Sequence, residues 1–385
     1  HSGLRMRSRG RTLLCRAGLS LQRRTSSVGL RCGARLRPAA GAITSSDAVR
    51  CTRVLGAAGA RSVAMAAPAA KKSISVAVCT DVSGLPEAVE RAFAASALAS
   101  THELKLQALP LDADASREAE ILLADPGKVK SVLDSVRGLR WLQSTWAGVN
   151  ALEGVRRRDF KCTRLAGCFG PQMSEYVLGA VLYEDWRSLA GLQAEGRWDP
   201  APFKRRRRLG AMTMGLLGAG DIAQVIGQRA QAFGMQTLAF ATAERQADGF
   251  HRITTDLDAV LREADVLVNV LPSTRKTRGL LDGGKLRVCG EGKVLINVGR
   301  GDVVSEESLL EALEAGWLRR AVLDVFATEP LPAASRLWSH PAVQLSPHIA
   351  AVTYPDDSAA VFVSNLARWV EGKPLSFAVD LDKGY

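Results

Sequence analysis

Short apolar runs alternate with amphipathic segments along most of the chain from Ser73 onward. In the first part of the chain, these runs predict strands at residues 74–79, 103–109, 119–124 and 139–146, with helical segments between them. Apolar positions at helical spacing predict a helix over residues 174–186. Strands that alternate with helices favour a parallel sheet with helices packed on its faces.

A second series of apolar runs starts at residue 214. The first run is short and continuous, and five more strands are predicted at residues 236–242, 265–271, 293–298, 320–326 and 343–345, with a helix at 305–315. Several of these runs are almost entirely apolar, which is typical of strands buried on both faces. We therefore predict an α/β protein with two Rossmann-like, doubly wound parallel-sheet domains.

The run at residue 214 leads directly into Gly-x-Gly-x-x-Ala, which opens a dinucleotide-binding βαβ unit. Gly218 would allow a tight turn, Gly220 would let the backbone approach a pyrophosphate, and Ala223 is small enough for the helix to pack on the strand. Asp221 and Ile222 would lie at the helix N-terminus, whose free N–H groups face the phosphates. Alone, such a short glycine pattern also fits an ordinary turn.

A net charge of +12 is typical of proteins that bind nucleic acids. The position of the basic residues along the chain argues against that function. Residues 1–70 contain thirteen Arg, no Lys and one acidic residue, and the rest of the chain has no net charge. The basic run at 204–208 could be a nuclear signal or a nucleic-acid patch. A solvated loop is the favoured interpretation, because no aromatic stacking platform accompanies it. We expect no nucleic-acid partner.

The Arg-rich, acid-poor leader, residues 1–72, resembles a mitochondrial transit peptide, so we expect a location in the mitochondrial matrix. A disordered tail is one alternative. A cytosolic form that starts at Met65, just before the first predicted strand, is another.

Several other classes of protein are disfavoured by what the sequence lacks. The seven cysteines have no Cys-x-x-Cys spacing, so reduced thiols are expected instead of disulfides or a zinc site. No His, Asp and Glu set has metal-ligand spacing, and no Gly-x-Ser-x-Gly elbow of a hydrolase occurs. No apolar run reaches 18 residues, so no membrane association is expected.

Three segments at the ends of predicted strands, 297–301, 323–331 and 346–351, place ionisable residues just beyond apolar runs. Ligands of open α/β sheets bind at such strand ends. Together with the glycine turn, these segments resemble the D-isomer-specific 2-hydroxyacid dehydrogenase family, over roughly residues 74–385. Further matches lie at 271–274, Thr277, Gly279 and 337–341. The endings at 347–355 and 383–385 are most similar to the branch that reduces glyoxylate and hydroxypyruvate.

The resemblance implies a discontinuous substrate domain of residues 73–172 plus 349–385 and an NAD(P)-binding domain of residues 173–348. It also implies a homodimer and a reaction that reduces glyoxylate or hydroxypyruvate to glycolate or D-glycerate. The cofactor contacts that it implies, beyond the glycine turn, are at Leu271, Pro272, Thr277, Val298, Gly299 and Asp324.

Reduction of a 2-keto acid needs hydride on the carbonyl carbon and a proton on its oxygen. His348 is the candidate acid, since imidazole titrates near physiological pH. Glu329 would pair with His348 and fix its ring. Arg300 would hold the substrate carboxylate as a permanent bidentate cation. Backbone N–H groups at residues 147–149 (Ala147, Gly148 and Val149) would bind the same carboxylate.

The choice of cofactor is expected to depend on the end of the second strand after the glycine turn. NAD enzymes usually have an acid there, which bonds the ribose 2′-hydroxyl. Ala241 and Thr242 are not acidic, which favours NADP, with Thr242 and Arg245 as candidate contacts of the 2′-phosphate. Glu244 would repel a phosphate, so NAD remains the alternative.

Two other functions remain open from the sequence. One is a dehydrogenase of the same family that acts on larger 2-keto acids. The other is a nucleotide-sensing corepressor-like scaffold, since such proteins share the fold and can keep Arg300, Glu329 and His348. The Arg-rich leader argues against the scaffold.

Overall fold

The structure of the protein is a computed structural model that describes residues 70–110, 112–201, 204 and 207–382, with the side chains of 184–188 excepted. Residues 1–69 of the predicted transit peptide, which include the alternative start at Met65, and residues 205–206 of the basic run lie outside the described residues. In the described part, no helix has the length and apolar character needed to cross a membrane.

The first sheet is built from the strands that the N-terminal apolar runs predict. Its five parallel strands have the order β2-β1-β3-β4-β5. They are β1 (Lys72–Cys79), β2 (His102–Ala108), β3 (Ile121–Ala124), β4 (Trp141–Ser144) and β5 (Lys161–Thr163). The helices between them are α1 (Leu85–Ala94), α2 (Ala113–Glu118) and α3 (Pro126–Val132). Every residue of β3 and β4 is buried, because helices and loops cover both faces of the sheet.

The C-terminal segment returns to this first sheet. Helix α8 (Pro355–Val370) packs on α1, and the ring of Phe362 stacks on Trp141 with the centroids 5.4 Å apart. Beyond α8, the N–H of Val379 donates to the carbonyl of Cys162 at 2.9 Å. Two stretches distant in sequence thus form one hydrophobic core.

The second sheet has seven parallel strands in the order β12-β11-β10-β9-β6-β7-β8. The strands are β6 (Thr213–Leu217), β7 (Gln236–Phe240), β8 (Arg252–Thr254), β9 (Val266–Asn269), β10 (Lys293–Asn297), β11 (Leu318–Leu323) and β12 (Val343–Leu345). The helices around it are α4 (Gly170–Ala194), α5 (Asp221–Ala232), α6 (Leu257–Glu263) and α7 (Glu306–Glu314). The chain runs outward in opposite directions on either side of the β6–β9 pair, which creates a crevice at the carboxyl ends of these strands.

The predicted architecture of two doubly wound parallel sheets is confirmed. Two strands were missed, β5 and β8, each of three residues and each at the edge of its sheet. Each has a single apolar residue between a basic residue and a threonine, Lys-Cys-Thr in β5 and Arg-Ile-Thr in β8, so no apolar run marks it. Helix α4 is longer than the predicted 174–186.

Candidate active site

The glycine turn lies at the crevice of the second sheet, between β6 and α5. Gly218 has φ +113°, a conformation that favours glycine, and its N–H donates to the carbonyl of Phe240 at 2.9 Å. A Cβ added at Gly220 would meet no atom within 4 Å, so the space in front of this residue is open. No side chain of the described residues caps α5, which leaves the N–H groups of its first turn available to a ligand. The turn therefore fits the pyrophosphate of a dinucleotide.

Arg245, from the loop after β7, reaches back to this turn. Its Nη2 donates to the carbonyl of Ala219 at 2.7 Å. Thr242 is exposed in the same loop, just beyond the end of β7. The Glu244 carboxylate lies 3.5 Å from the hydroxyl of Thr254, on the neighbouring edge strand. One cation and one hydroxyl are thus placed where the ribose end of a dinucleotide would extend from the turn.

The ends of β9 and β10 form the other side of the crevice. Leu271 is buried, and its N–H donates to Oδ1 of Asn269 at 3.1 Å. The Thr277 hydroxyl donates to the carbonyl of Pro272 at 2.6 Å and fixes that loop. Val298 is 2% exposed, and a Cβ on Gly299 would lie 2.9 Å from backbone atoms of Leu271. These predicted cofactor contacts therefore form one tightly packed wall.

Arg300 follows β10 and crosses to the loop after β4. Its Nε donates to Oδ1 of Asn150 at 3.0 Å, and its Nη1 donates to the carbonyl of Gly299 at 2.7 Å. The guanidinium lies directly against Gly148, because a Cβ there would be 1.5 Å from Nη2. Burial lowers the pKa of Arg300, and the nearby Asp302 and Glu329 carboxylates oppose that shift. An arginine remains charged under these conditions, so the site presents a cation to an anionic ligand.

Two buried side-chain amides bind the backbone carbonyl of Arg300. Asn269 and Asn297, the last residues of β9 and β10, donate from Nδ2 to its carbonyl at 3.3 and 3.1 Å. The two amides also bond each other at 2.8 Å. This pair sets the direction in which the chain leaves β10.

His348 and Glu329 form a pair beyond β12 and β11. The Nδ1 atom of His348 lies 2.8 Å from Oε2 of Glu329, and Oε1 of Glu329 accepts the N–H of Phe326 at 2.9 Å. The His348 side chain is 51% exposed, so a ligand can reach its ring. Its φ of +55° is rare for a residue with a side chain and marks a constrained backbone.

Asp324, the residue after β11, holds the His348 loop. Its carboxylate is 1% exposed and accepts the N–H groups of Ile349 at 2.8 Å and Ala350 at 2.9 Å. The Ser346 hydroxyl donates to the same carboxylate at 2.6 Å and also bonds the Tyr176 hydroxyl at 2.5 Å. With both oxygens engaged in this way, Asp324 fixes the loop.

The structure brings most of the predicted residues together at the carboxyl ends of the second sheet. Ala147, Gly148 and Val149 instead follow β4 of the first sheet, and Gly148 lies against Arg300. Sequence reasoning missed the polar residues that hold this set: Asn150, Tyr176, Asn269 and Ser346. Ser346 lies inside a segment that the sequence did single out, and Asn150 directly follows another, residues 147–149. Tyr176 looked like one more residue of an amphipathic helix.

Neither a metal centre nor a disulfide is found in the described part of the chain. The four described cysteines are free thiols. Burial raises the pKa of Cys162 to about 12 and that of Cys289 to about 11, so both are protonated near neutral pH.

Comparison with known proteins agrees with this geometry. The family model for the D-isomer specific 2-hydroxyacid dehydrogenase, NAD binding domain, matches residues 182–350. Glyoxylate/hydroxypyruvate reductase A of Escherichia fergusonii is 34% identical over 223 residues, which are 56% of this chain and 70% of that protein.

Two solved structures show the same likeness over longer stretches. A D-isomer specific 2-hydroxyacid dehydrogenase family protein from Aeromonas salmonicida is 36% identical, with a TM-score of 0.70 over 81% of this chain and 99% of that one. An NADPH-dependent glyoxylate/hydroxypyruvate reductase from Sinorhizobium meliloti, in complex with NADP and sulfate, is 27% identical, with a TM-score of 0.69 over 82% of this chain and 100% of that one. The chain belongs to the D-isomer specific 2-hydroxyacid dehydrogenase family and is an NAD(P)-dependent oxidoreductase of 2-hydroxy acids.

Proposed function

We propose that this protein reduces a small 2-keto acid, glyoxylate or hydroxypyruvate, to glycolate or D-glycerate with NADPH. The observation that carries the proposal is the arrangement of one partly buried cation, Arg300, and one carboxylate-bound imidazole, His348, at the edge of the glycine-turn crevice, with the Glu329 carboxylate near both. A 2-keto acid offers a carboxylate to the first group and a carbonyl oxygen to the second. The substrate names are those of the reductases that this chain resembles.

In this proposal Arg300 orients the substrate. Its Nε and Nη1 are held by Asn150 and Gly299, which leaves Nη2 beside Gly148 to receive the carboxylate. Backbone N–H groups at 147–149 would bind the same carboxylate from the opposite wall. A planar guanidinium held at two of its nitrogens loses little further freedom when it binds, and it directs the keto carbon to a single position.

His348 would donate the proton. Since Nδ1 faces Glu329, the other ring nitrogen, Nε2, is the one available to the carbonyl oxygen. The bond from Nδ1 to the Glu329 carboxylate holds the ring in one orientation. When bound, the reduced nicotinamide would supply the hydride to the carbonyl carbon, so the proton from His348 completes the alcohol.

NADP is the proposed cofactor because Arg245 bonds the glycine turn and no acid ends β7. A guanidinium there would pair with a 2′-phosphate, whereas NAD enzymes usually carry an acid for the 2′-hydroxyl. The complexes of relatives with NADP and NADPH support this choice. Glu244 opposes it, although its carboxylate lies beside Thr254 on the next strand.

We further propose that residues 73–172 and 349–385 act as the substrate domain and 173–348 as the cofactor domain, and that two chains form a homodimer. The return of α8 to the first sheet supports the domain assignment, and family resemblance supports the dimer. Light scattering of the purified protein would measure its mass.

A substrate panel tests the proposed function. Steady-state rates with glyoxylate, hydroxypyruvate, pyruvate and phenylpyruvate would be measured with NADPH and with NADH. We expect the two small acids with NADPH to give the highest kcat/KM. Equal or higher values for pyruvate or phenylpyruvate would contradict the substrate choice, and no turnover of any of the four acids would contradict the enzymatic function.

A further inference from the structure

Asp221 places a negative charge at the mouth of the proposed phosphate cradle. It is the first residue of α5 and follows Gly220 directly. Its Oδ2 accepts the N–H of Gly167 at 3.0 Å, and its Oδ1 lies 3.5 Å from Nη2 of Arg164. A carboxylate suits the positive end of a helix but repels a pyrophosphate at the same place. The cradle therefore needs a nearby cation.

Arg164 is the cation nearest to that carboxylate, and it comes from the other sheet, just after β5. Within the described residues its guanidinium has a single hydrogen-bond partner, Asp221, at the outer limit of hydrogen-bond distance. Its side chain is 29% exposed. The remaining N–H groups of a five-donor fork are thus available beside the helix N-terminus.

The backbone around Arg164 is tied to the proposed substrate loop. The N–H of Arg164 donates to the carbonyl of Phe377 at 3.0 Å, and the N–H of Leu165 donates to the carbonyl of Trp146 at 3.1 Å. Trp146 directly precedes residues 147–149, of which Gly148 lies against Arg300. The Arg164 segment is therefore hydrogen-bonded directly to the start of the loop that faces the substrate.

We propose that Arg164 binds the pyrophosphate of the cofactor from the substrate domain and that Asp221 competes with the pyrophosphate for its guanidinium. The inference rests on the proposed function, because it assumes a dinucleotide in the glycine turn. The pyrophosphate would replace the Asp221 carboxylate, whose Oδ1 lies 3.5 Å from Nη2 of Arg164, as the partner of the guanidinium. Arg164 would thereby link the cofactor to the segment that is bonded to the substrate-facing loop.

The competing explanation is a purely structural ion pair between the two sheets. The two explanations predict opposite responses to loss of the acid. If the pair is structural, Arg164→Gln and Asp221→Asn weaken cofactor binding alike. If Arg164 serves the phosphates, Arg164→Gln weakens binding while Asp221→Asn strengthens it, because the repulsion disappears and the guanidinium is released.

Dissociation constants for NADPH and NADH, measured by nicotinamide fluorescence without substrate, test the inference. We expect Arg164→Gln to raise both constants about tenfold or more, as for loss of one charge-assisted contact, with their ratio unchanged. Asp221→Asn is expected to lower both by about 2- to 5-fold. Arg245→Gln is the matched control, since it should raise the constant for NADPH alone.

The outcomes separate this inference from the proposed function. If the wild-type protein binds neither nucleotide, both fail. If it binds them and Arg164→Gln binds equally well, or if Asp221→Asn weakens binding as much as Arg164→Gln does, only the inference fails. Should Arg164→Gln not fold, Arg164→Lys carries the test. That variant keeps the charge but not the fork, so a smaller loss for both nucleotides is expected, and unchanged constants would overturn the inference.

Discussion

The Nδ1 atom of His348 lies 2.8 Å from Oε2 of Glu329, although the two residues follow different strands of the second sheet. The pair exists because the carboxyl ends of parallel strands meet at one edge. It fixes which nitrogen of the imidazole faces the crevice. The proposed proton transfer depends on that choice.

Loss of the Glu329 carboxylate should impair the chemical step more than binding. We expect Glu329→Gln to lower kcat for glyoxylate about 100-fold with a much smaller change in KM, because the imidazole is no longer paired with an anion. Steady-state kinetics measure both constants. A change confined to KM would show that Glu329 serves substrate binding instead.

Removal of Asn150 should disturb Arg300 without touching the cofactor. In Asn150→Ala the Nε of Arg300 loses its acceptor at 3.0 Å, so the guanidinium is less well oriented. We expect KM for the keto acid to rise about 5- to 10-fold, as for loss of one hydrogen bond to a charged group, while the dissociation constant for NADPH stays unchanged. An equal loss of NADPH affinity would indicate a general disturbance of the crevice.

A side chain at position 148 should displace the Arg300 guanidinium and so lower the activity. In Gly148→Ala the new Cβ would lie 1.5 Å from Nη2 of Arg300, so the guanidinium must leave its position. We expect kcat/KM to fall about 100-fold or more. Gly127→Ala is the control, because a Cβ there meets no atom within 4 Å. Similar kinetics for the two variants would refute the proposed place of Arg300.

Cofactor preference should change when Arg245 is replaced. Arg245→Gln removes the cation beside the glycine turn, so kcat/KM with NADPH should fall about tenfold or more while that with NADH is nearly constant. Arg252→Gln is a matched control, since Arg252 pairs with Glu263 on the surface. A wild-type preference for NADH would already contradict the proposal.

Alkaline pH should destabilise the fold through its buried thiols. Burial raises the pKa of Cys162 from its ordinary value near 9 to about 12, so the folded state disfavours the thiolate. The contribution of the protonated Cys162 thiol to the free energy of unfolding is therefore fully present below pH 9. It is lost as the pH rises toward 12. Urea unfolding at pH 8 and pH 10.5 would show a lower midpoint at the higher pH. We expect a smaller decrease in Cys162→Ala, and an unchanged difference would exclude Cys162 as a cause.

The sequence predicted the parts of this fold that depend on local pattern. Strands buried on both faces are continuous apolar runs, so β6, β9 and β10 were evident, and the glycine turn follows from the needs of a tight backbone. Arg300, Glu329 and His348 stood out because each follows an apolar run. Residue type and position in the pattern were enough for these features.

Other features depend on contacts between residues far apart in the chain. Asn150 meets Arg300 and Tyr176 meets Ser346 only after the strands and helices have packed, so no local pattern marks either pair. Asp324 illustrates the same limit, since its sequence position allowed either a cofactor contact or a structural bond. Its buried carboxylate shows that it holds the His348 loop.

The central claim is that His348 protonates a small 2-keto acid, and one comparison of variants tests it most directly. Glyoxylate-dependent NADPH oxidation would be measured for the wild-type protein, His348→Ala and the control His340→Ala, whose ring accepts only the N–H of Ala342 within the described residues. We predict that His348→Ala lowers kcat by about 10²- to 10⁴-fold and that His340→Ala stays within a few fold of wild type. A His348→Ala protein with wild-type kcat would contradict the account.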